Sequence, residues 1–242
     1  MIRTTRRDHV LVVTIDRPER RNALDHEALV GLEAAIDEAR AASVRVLALV
    51  GAHGHFCSGA DLTTVEDEEF VARLGRVLRC LRELPFPTMA VVDGYALGAG
   101  TQLAIACDLR VATPGAGFGV PAAKLGLMVD QWTVRRLASL VGQSTARHVL
   151  LSTDVVSGER AHQLGLVHRL GDTSDGLAWA DRIAELAPLT LAGLKIGLNE
   201  ADAEEAATPA YTAAFERAWA SADLAEGLAA FADKRPPRFD GR

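Results

Sequence analysis

Aromatic side chains are scarce in this chain: three Trp, two Tyr and seven Phe among 242 residues. Its core must therefore be mainly aliphatic, and the overall balance of 49% apolar and 24% charged residues is that of a globular protein. Cysteine is equally sparse. Cys57, Cys80 and Cys107 are odd in number and lack metal-type spacing, which argues against a disulfide framework and predicts free buried thiols in a reducing cytoplasm. Basic runs are missing. Lys plus Arg is 26 against 32 Asp plus Glu, a formal net charge of −6, so nothing argues for nucleic acid. Local positive spots still suit a phosphorylated ligand. Long apolar runs are missing too. The basic start MIRTTRRDHV is followed only by Val10–Ile15 before Asp16, too short for the apolar region of a signal peptide. No run approaches a membrane span, so the expectation is a cytoplasmic protein without one. The seven histidines show no metal-ligand spacing, and His53 and His55, two apart in a loop, are poor geometry for zinc; no metal is expected.

What is present is alternation. Val10–Ile15 is rich in β-branched residues and ends at Asp16-Arg17-Pro18, a strand closed by a turn. Asp25 is a candidate N-cap for a helix over 25–41, with Leu29, Leu32, Ile36 and Ala39 at helical spacing. Val44–Val50 reads as a buried strand and 66–83 as an amphipathic helix facing inward with Phe70, Leu74, Val77, Leu78 and Leu81. Thr88–Val92 is the next strand, Ala96–Ala106 a turn entering a buried helix, and Leu109–Ala112 strand-like again. Such alternation predicts α/β construction. Beyond about residue 131 the segments become helical and rich in Ala and Leu. Pro188 marks a break before a last helical region, 189–234, and the stretch 201–214 reads as plain helix. The expected organisation is a core over 1–187 and a helical oligomerisation region over 188–242, without internal repeats.

Two loops carry chemistry. His55-Phe56-Cys57-Ser58-Gly59-Ala60-Asp61-Leu62 follows one predicted strand, and Asp93-Gly94-Tyr95-Ala96-Leu97-Gly98-Ala99-Gly100 follows another. Both put small residues where a strand gives way to a helix. Backbone N–H groups there are unpaired, and Gly and Ala let a ligand approach them. Two such loops side by side offer two donors to one oxygen, the design of an oxyanion hole. The same glycines also serve tight turns and close helix packing, and spacing alone leaves both roles open.

The string Arg17-Pro18-Glu19-Arg20-Arg21-Asn22-Ala23-Leu24 and the two loop strings occur in the order of the enoyl-CoA hydratase/isomerase (crotonase) family. Cys107-Asp108-Leu109-Arg110, Phe118-Gly119-Val120-Pro121 and Phe231-Ala232-Asp233-Lys234-Arg235 match as well, so the chain resembles that family over essentially its whole length. The resemblance implies an α/β fold: a crotonase-like spiral of strand–strand–helix units with a C-terminal helical region that builds a homo-trimer, often paired into a hexamer. It implies a coenzyme A thioester as ligand and no separate cofactor. It maps the oxyanion-hole donors to the backbone N–H of Ala60 and Ala99. CoA contacts fall on Arg20, Arg21, Ala23, Ala60, Asp61, Leu62, Phe231 and Lys234, the C-terminal pair sometimes serving a neighbouring subunit.

The family pattern breaks at the acid–base groups. Hydratases of this family use two glutamates, and the matching positions here are Gln102 and Ala122. Gln cannot exchange a proton near neutral pH, and Ala offers nothing. Asp130, eight residues past Ala122, matches an acidic position that some relatives use as a base or a nucleophile. It also precedes a helix-like stretch, where Asp is a good N-cap. The dehalogenase subgroup carries a histidine where this chain has Arg79. A subgroup of actinobacterial lipid metabolism shares the Gln and the Asp130-like residue. The expectation is an acyl-CoA-binding protein of lipid metabolism with little or no hydratase activity. The alternative is an enoyl-CoA isomerase or weak hydratase using Asp130.

Overall fold

The structure is a computed structural model, and it describes residues 1–41, 43–62, 68–201, 212–213, 216 and 219–237. Most of the stretch 201–214, and the first residues of the helix expected over 66–83, lie outside the described residues. The chain forms two compact units, Met1–Phe118 with Val156–Ala203, and Gly119–Val155 with Glu204–Arg242.

The first unit is built on a six-stranded sheet in the order β1-β2-β3-β4-β6-β9. These are β1 (Ile2–Arg7), β2 (Val10–Ile15), β3 (Val46–Gly51), β4 (Thr88–Val92), β6 (Leu109–Ala112) and β9 (Arg169–Leu170). The β1–β2 pair is antiparallel and every other pair is parallel. Parallel strands covered on both faces read as continuous apolar runs, and β3 and β4 are buried throughout except for terminal Gly51. One face carries Val10, Val12, Val46, Ala48, Val50, Met89, Val91 and Val111 against Ala180, Ile183 and Ala184 of helix α6 (Thr173–Ala184). Helix α1 (His26–Ala41) packs on β1 and β2 and turns Leu29, Leu32 and Ile36 inward; its first turn is capped by Asp25, whose Oδ1 accepts from Ala28 N–H at 2.8 Å. Helix α2 (Glu68–Arg82) buries the five residues that its periodicity marks.

Four strands of the main sheet, β2, β3, β4 and β6, are each followed by a short second extended segment. After β2 comes Leu24, bridged to Ala60, and then α1. After β3 comes Cys57, bridged to Ala96. After β4 come β5 (Tyr95–Leu97) and helix α3 (Ala99–Ala106); after β6 comes β7 (Gly117–Gly119). A second sheet joins β5, β7 and β8 (Val156–Ser157), and short helix α5 (Gly158–Gln163) follows β8. This is the strand–strand–helix repeat. Leu24, β5 and β8 each end at the start of a helix.

Polar anchors tie the unit together. Arg110 is 1% exposed, yet its guanidinium donates to four carbonyls: Leu166 (2.6 Å), Cys107 (2.6 Å), Ala104 (3.2 Å) and Asp108 (3.3 Å). Two of these close the C-terminal end of α3, where a cation also complements the helix dipole. Asp108 accepts from Thr88 N–H (2.7 Å), the Thr88 hydroxyl (3.0 Å) and Lys195 Nζ (2.7 Å). Lys195 belongs to helix α7 (Pro188–Ala201) and also donates to the Phe86 carbonyl at 3.0 Å.

The second unit contains a 3-10 turn (Pro121–Leu125), helix α4 (Gln131–Arg147), a π-helical turn (His148–Ser152) and helix α8 (Ala222–Ala232). Gly227 of α8 lies on the backbone of Leu125, leaving no room for a side chain. Trp219 Nε1 donates to the Met128 carbonyl at 3.1 Å. No helix among the described residues is long and apolar enough to cross a membrane.

Replacing Arg110 by Met leaves several buried carbonyls without a donor. Each such group costs about 1–3 kcal/mol, so Arg110→Met is expected to lower the unfolding free energy by at least about 3 kcal/mol in urea denaturation. Arg79→Met, at an exposed position of α2, should stay within about 0.5 kcal/mol of the parent.

Candidate functional site

The candidate site starts at a buried asparagine. Arg21 and Asn22 both adopt left-handed backbone (φ 49° and 60°), a conformation that Asn tolerates better than most residues. Asn22 is 0% exposed. Its Oδ1 accepts from Arg17 N–H at 2.8 Å, and its Nδ2 donates to the carbonyls of Ala52 (2.9 Å) and His55 (2.6 Å). One side chain thus joins the Arg17–Leu24 turn to the loop after β3. Arg17 adds a second clamp. It donates to the Ala23 carbonyl at 2.7 Å and forms ion pairs with Asp25 (3.0 Å) and Asp61 (3.3 Å).

The loop then runs between two neighbours. On one side Leu24 N–H donates to Gly59 O (2.8 Å) and Asp61 N–H donates to Leu24 O (2.6 Å). On the other, Cys57 N–H donates to Tyr95 O (2.9 Å) and Leu97 N–H to Cys57 O (3.0 Å). Gly59 (φ 113°) and Gly98 (φ 51°) face each other: a Cβ on Gly59 would stand 3.1 Å from Leu97 O and 4.0 Å from Ala99 N, and one on Gly98 would stand 3.9 Å from the Gly59 Cα. Gly98 ends the turn and Ala99 begins α3. Gly100 lies directly on the Cys57 carbonyl, with no space for a Cβ.

Two backbone donors remain over. The parallel bridge to Leu24 uses the carbonyl of Gly59 and the N–H of Asp61, which leaves the Ala60 N–H on the opposite side of the segment. Ala99 is the first residue of α3, where an N–H has no intrahelical partner. Among the described residues neither N–H has a backbone acceptor. The two loops lie side by side, joined by the Cys57–Ala96 bridge.

Gln102 stands one turn after Ala99 on the same side of α3, is 7% exposed, and donates its own backbone N–H to Gly98 O at 3.0 Å. Arg20 and Arg21 are exposed, Ala23 is buried and Leu62 is half-buried. The Asp61 carboxylate is engaged by Arg17. In the second unit Ala122 is half-buried in the 3-10 turn, while Phe231 and Lys234 are exposed at the end of α8. Asp130 is the N-cap of α4, its Oδ1 accepting from Thr133 N–H at 3.0 Å.

Two side chains beside the donors are not reactive candidates on equal terms. Burial pushes the Cys57 thiol up to about 12, so it holds its proton and is no nucleophile near neutral pH. His55 is half-buried, with Nδ1 enclosed and without a hydrogen-bond partner among the described residues, close to the Gly94 backbone. The residues that sequence reasoning passed over are Asn22 and Arg17. The available signal was a pair of polar residues flanking the Pro18 turn and preceding an apolar Ala-Leu.

The family model described as enoyl-CoA hydratase/isomerase matches residues 5–242. The chain is 42% identical over 242 residues to probable enoyl-CoA hydratase echA6 of Mycobacterium tuberculosis, covering 100% of both. It is 34% identical over 252 residues to 2,3-dehydroadipyl-CoA hydratase of Escherichia coli K12, covering 98% of each. The solved structure of methylmalonyl CoA decarboxylase complexed with 2S-carboxypropyl CoA matches with a TM-score of 0.91 at 20% identity, over 100% of this chain and 98% of that one. That likeness is one of fold, and it bears out the crotonase-like α/β architecture expected from the sequence.

The contact between α3 and the Cys57 loop makes a sharp comparison of two helical glycines. Gly100→Ala must push the helix off the loop and is expected to cost about 1–3 kcal/mol. Gly75 in α2 has open space around its Cβ position, so Gly75→Ala should stabilise by about 0.5–1 kcal/mol. Thermal unfolding of both variants checks the sign and the size.

Proposed function

The chain belongs to the enoyl-CoA hydratase/isomerase family, and on that premise we propose that it binds the thioester of an acyl-CoA while performing little or no hydration. The observation that carries this reading is the pair of backbone N–H groups, Ala60 and Ala99, that have no backbone acceptor among the described residues, on loops that touch at Gly59 and Gly98. Two such donors complement a carbonyl oxygen and complement it better as negative charge grows there. Ala99 is a mild departure, because the donor is the main chain. Arg20 and Arg21 are exposed cations on the turn that holds Ala60 and suit the CoA phosphates. Ala23, Ala60, Asp61 and Leu62 line the same turn and loop. Phe231 and Lys234 offer a further aromatic and cationic pair for CoA. No cofactor is required; the CoA thioester is the ligand.

Hydration needs a group that delivers water and a proton. Gln102, one turn along α3 from the Ala99 donor, is a carboxamide and cannot do this. Ala122 has no polar atom. General acid–base groups contribute about 100- to 10,000-fold, and their loss separates binding from turnover. The second reading takes Asp130 as the base of an enoyl-CoA isomerase or weak hydratase. Its cap bond to Thr133 accounts for one carboxylate oxygen. Asn caps as well as Asp, so Asp130→Asn separates the two roles by keeping the helix and removing the base.

The test is an acyl-CoA titration run beside crotonyl-CoA hydration on one preparation. Binding with near-background hydration is expected. Ala99→Pro removes one donor at the first helical position, where proline fits best, and should weaken acyl-CoA binding about three- to tenfold. Gln102→Glu with Ala122→Glu should raise hydration about 100-fold or more. Robust turnover by the parent chain would overturn the reading; enoyl proton shifts abolished by Asp130→Asn would establish the second.

We also propose a homo-trimer or hexamer. Helix α7 is inside-out: its inward anchors are Lys195 and Asn199, the latter donating to Arg82 O at 3.0 Å. Leu189 (87% exposed), Leu194 (61%), Ile196 (59%) and Leu198 (71%) point outward. An apolar face of this kind is what an assembly covers. Light scattering should give a multiple of 25.7 kDa, and Leu194→Asp with Leu198→Asp should shift the mass toward one chain; a parent of single-chain mass would overturn the assembly.

A further inference from the structure

The Ala60 N–H serves a thioester only if its peptide plane is held at one angle, and the structure shows what holds it. Leu24 grips both neighbours of Ala60, accepting from Asp61 N–H at 2.6 Å and donating to Gly59 O at 2.8 Å. A residue flanked by two such bonds in a parallel bridge has its own N–H fixed on the far side. Leu24 in turn follows directly on the turn that Asn22 pins. The Asn22 amide is fully buried and uses one acceptor and two donors, on Arg17 N–H, Ala52 O and His55 O. The bonds run to both ends of the assembly. Arg17 lies at the start of the turn, and Ala52 and His55 lie on the strand-side stem of the loop that ends at Ala60. Ser58 N–H adds a rung to Arg21 O at 3.1 Å. Leucine contributes only its backbone here, and the polar group that registers turn against loop is Asn22.

We propose that Asn22 is a positioning residue for thioester binding: by locking the Arg17–Leu24 turn to the Ala52–His55 stem it aims the Ala60 N–H at the acyl carbonyl. This rests on the acyl-CoA reading above. Asn22 touches no ligand. Its amide does what neither Asp nor Ser does, since Asp loses both donors and Ser has one hydroxyl for three partners. Its left-handed backbone adds a reason for Asn over a β-branched residue.

The experiment uses cinnamoyl-CoA, whose conjugated chromophore absorbs at longer wavelength when its carbonyl is polarised by hydrogen bonds. The full chain is saturated with it, and the red shift is compared with that of free ligand. Asn22→Gly keeps the backbone conformation without strain and removes all three bonds; Asn22→Ser is the milder variant should the first fail to fold. Asp172→Ala is the control: it destabilises the chain by removing the N-cap of α6, whose bond to Asp175 N–H (3.0 Å) touches neither α3 nor the Ala60 loop. Expected are a red shift in the parent and in Asp172→Ala, and a shift cut by at least half in the Asn22 variants at saturation. Affinity for cinnamoyl-CoA should fall about three- to tenfold. An Asn22 variant that keeps the full shift would overturn the positioning role and leave the acyl-CoA reading standing. No shift in the saturated parent would overturn that reading itself, and the positioning role with it.

Discussion

Position 100 has no side chain, and the first turn of α3 rests there directly on the Cys57 carbonyl. Everything at the candidate site follows from that approach. With α3 against the loop, Gly98 meets Gly59 backbone to backbone, and the start of the helix falls beside the segment that carries Ala60. The same demand recurs one step away: Gly94, at φ 62°, leaves no room for a Cβ under the Gly54 carbonyl. A methyl group at any of these contacts would separate the loops by a fraction of a carbon diameter. That costs stability, and it would also spoil two donors proposed to converge on one oxygen, because a hydrogen bond weakens steeply with distance and angle.

Close approach would be useless if the elements could slide, and polar anchors prevent it. Arg110 spans the C-terminal end of α3 and the Leu166 loop. Asp108 binds the start of β4 and, through Lys195, α7. Asn22 registers the first turn against the loop after β3. Arg110, Asn22 and Lys195 are buried and Asp108 is half-buried, and they bond chiefly to backbone. Surface pairs such as Arg7–Asp181 at 2.7 Å, each half exposed or close to it, are worth about 1 kcal/mol or less. Losing a buried anchor instead strands the groups it served, which is why the weight of the architecture falls on a handful of polar residues in an aliphatic core.

Strands with β-branched apolar runs were legible in the sequence: β2, β3, β4 and β6 lie where Val10–Ile15, Val44–Val50, Thr88–Val92 and Leu109–Ala112 predict them. So were α1 and α2, whose stripes match their buried faces. β1 was not. Its six residues Ile-Arg-Thr-Thr-Arg-Arg are nearly all exposed, and it is held by its register on β2 and by arginines reaching Asp16, Ser43 and Asp181. Nothing in a local pattern encodes such partners. The short strands β5, β7 and β8 also escaped, since two or three residues are too few for periodicity. Small residues after strands signalled that the two loops approach. Cys107-Asp108-Leu109-Arg110 is legible only as a family string; its physical reason, a buried arginine that closes the end of α3 and reaches Leu166 and a half-buried aspartate that holds Thr88 and Lys195, appears once the chain is folded.

The candidate site also separates what a fold protects from what it does not. The Ala60 and Ala99 donors are main-chain groups. Any sequence that keeps the glycines, the Leu24 bridge and the start of α3 keeps both donors, whatever the chain is used for. Side-chain acids have no such protection. Gln102 fills nearly the volume of a glutamate and stays buried in α3 without disturbing a backbone contact. Two main-chain donors suit a carbonyl oxygen but carry no proton to and from a substrate. Turnover needs proton-transfer groups, and the side chains of Gln102 and Ala122 are a carboxamide and a methyl. Binding and catalysis rest on different layers of the same structure, the first on backbone geometry and the second on side-chain chemistry, so one can be lost while the other remains.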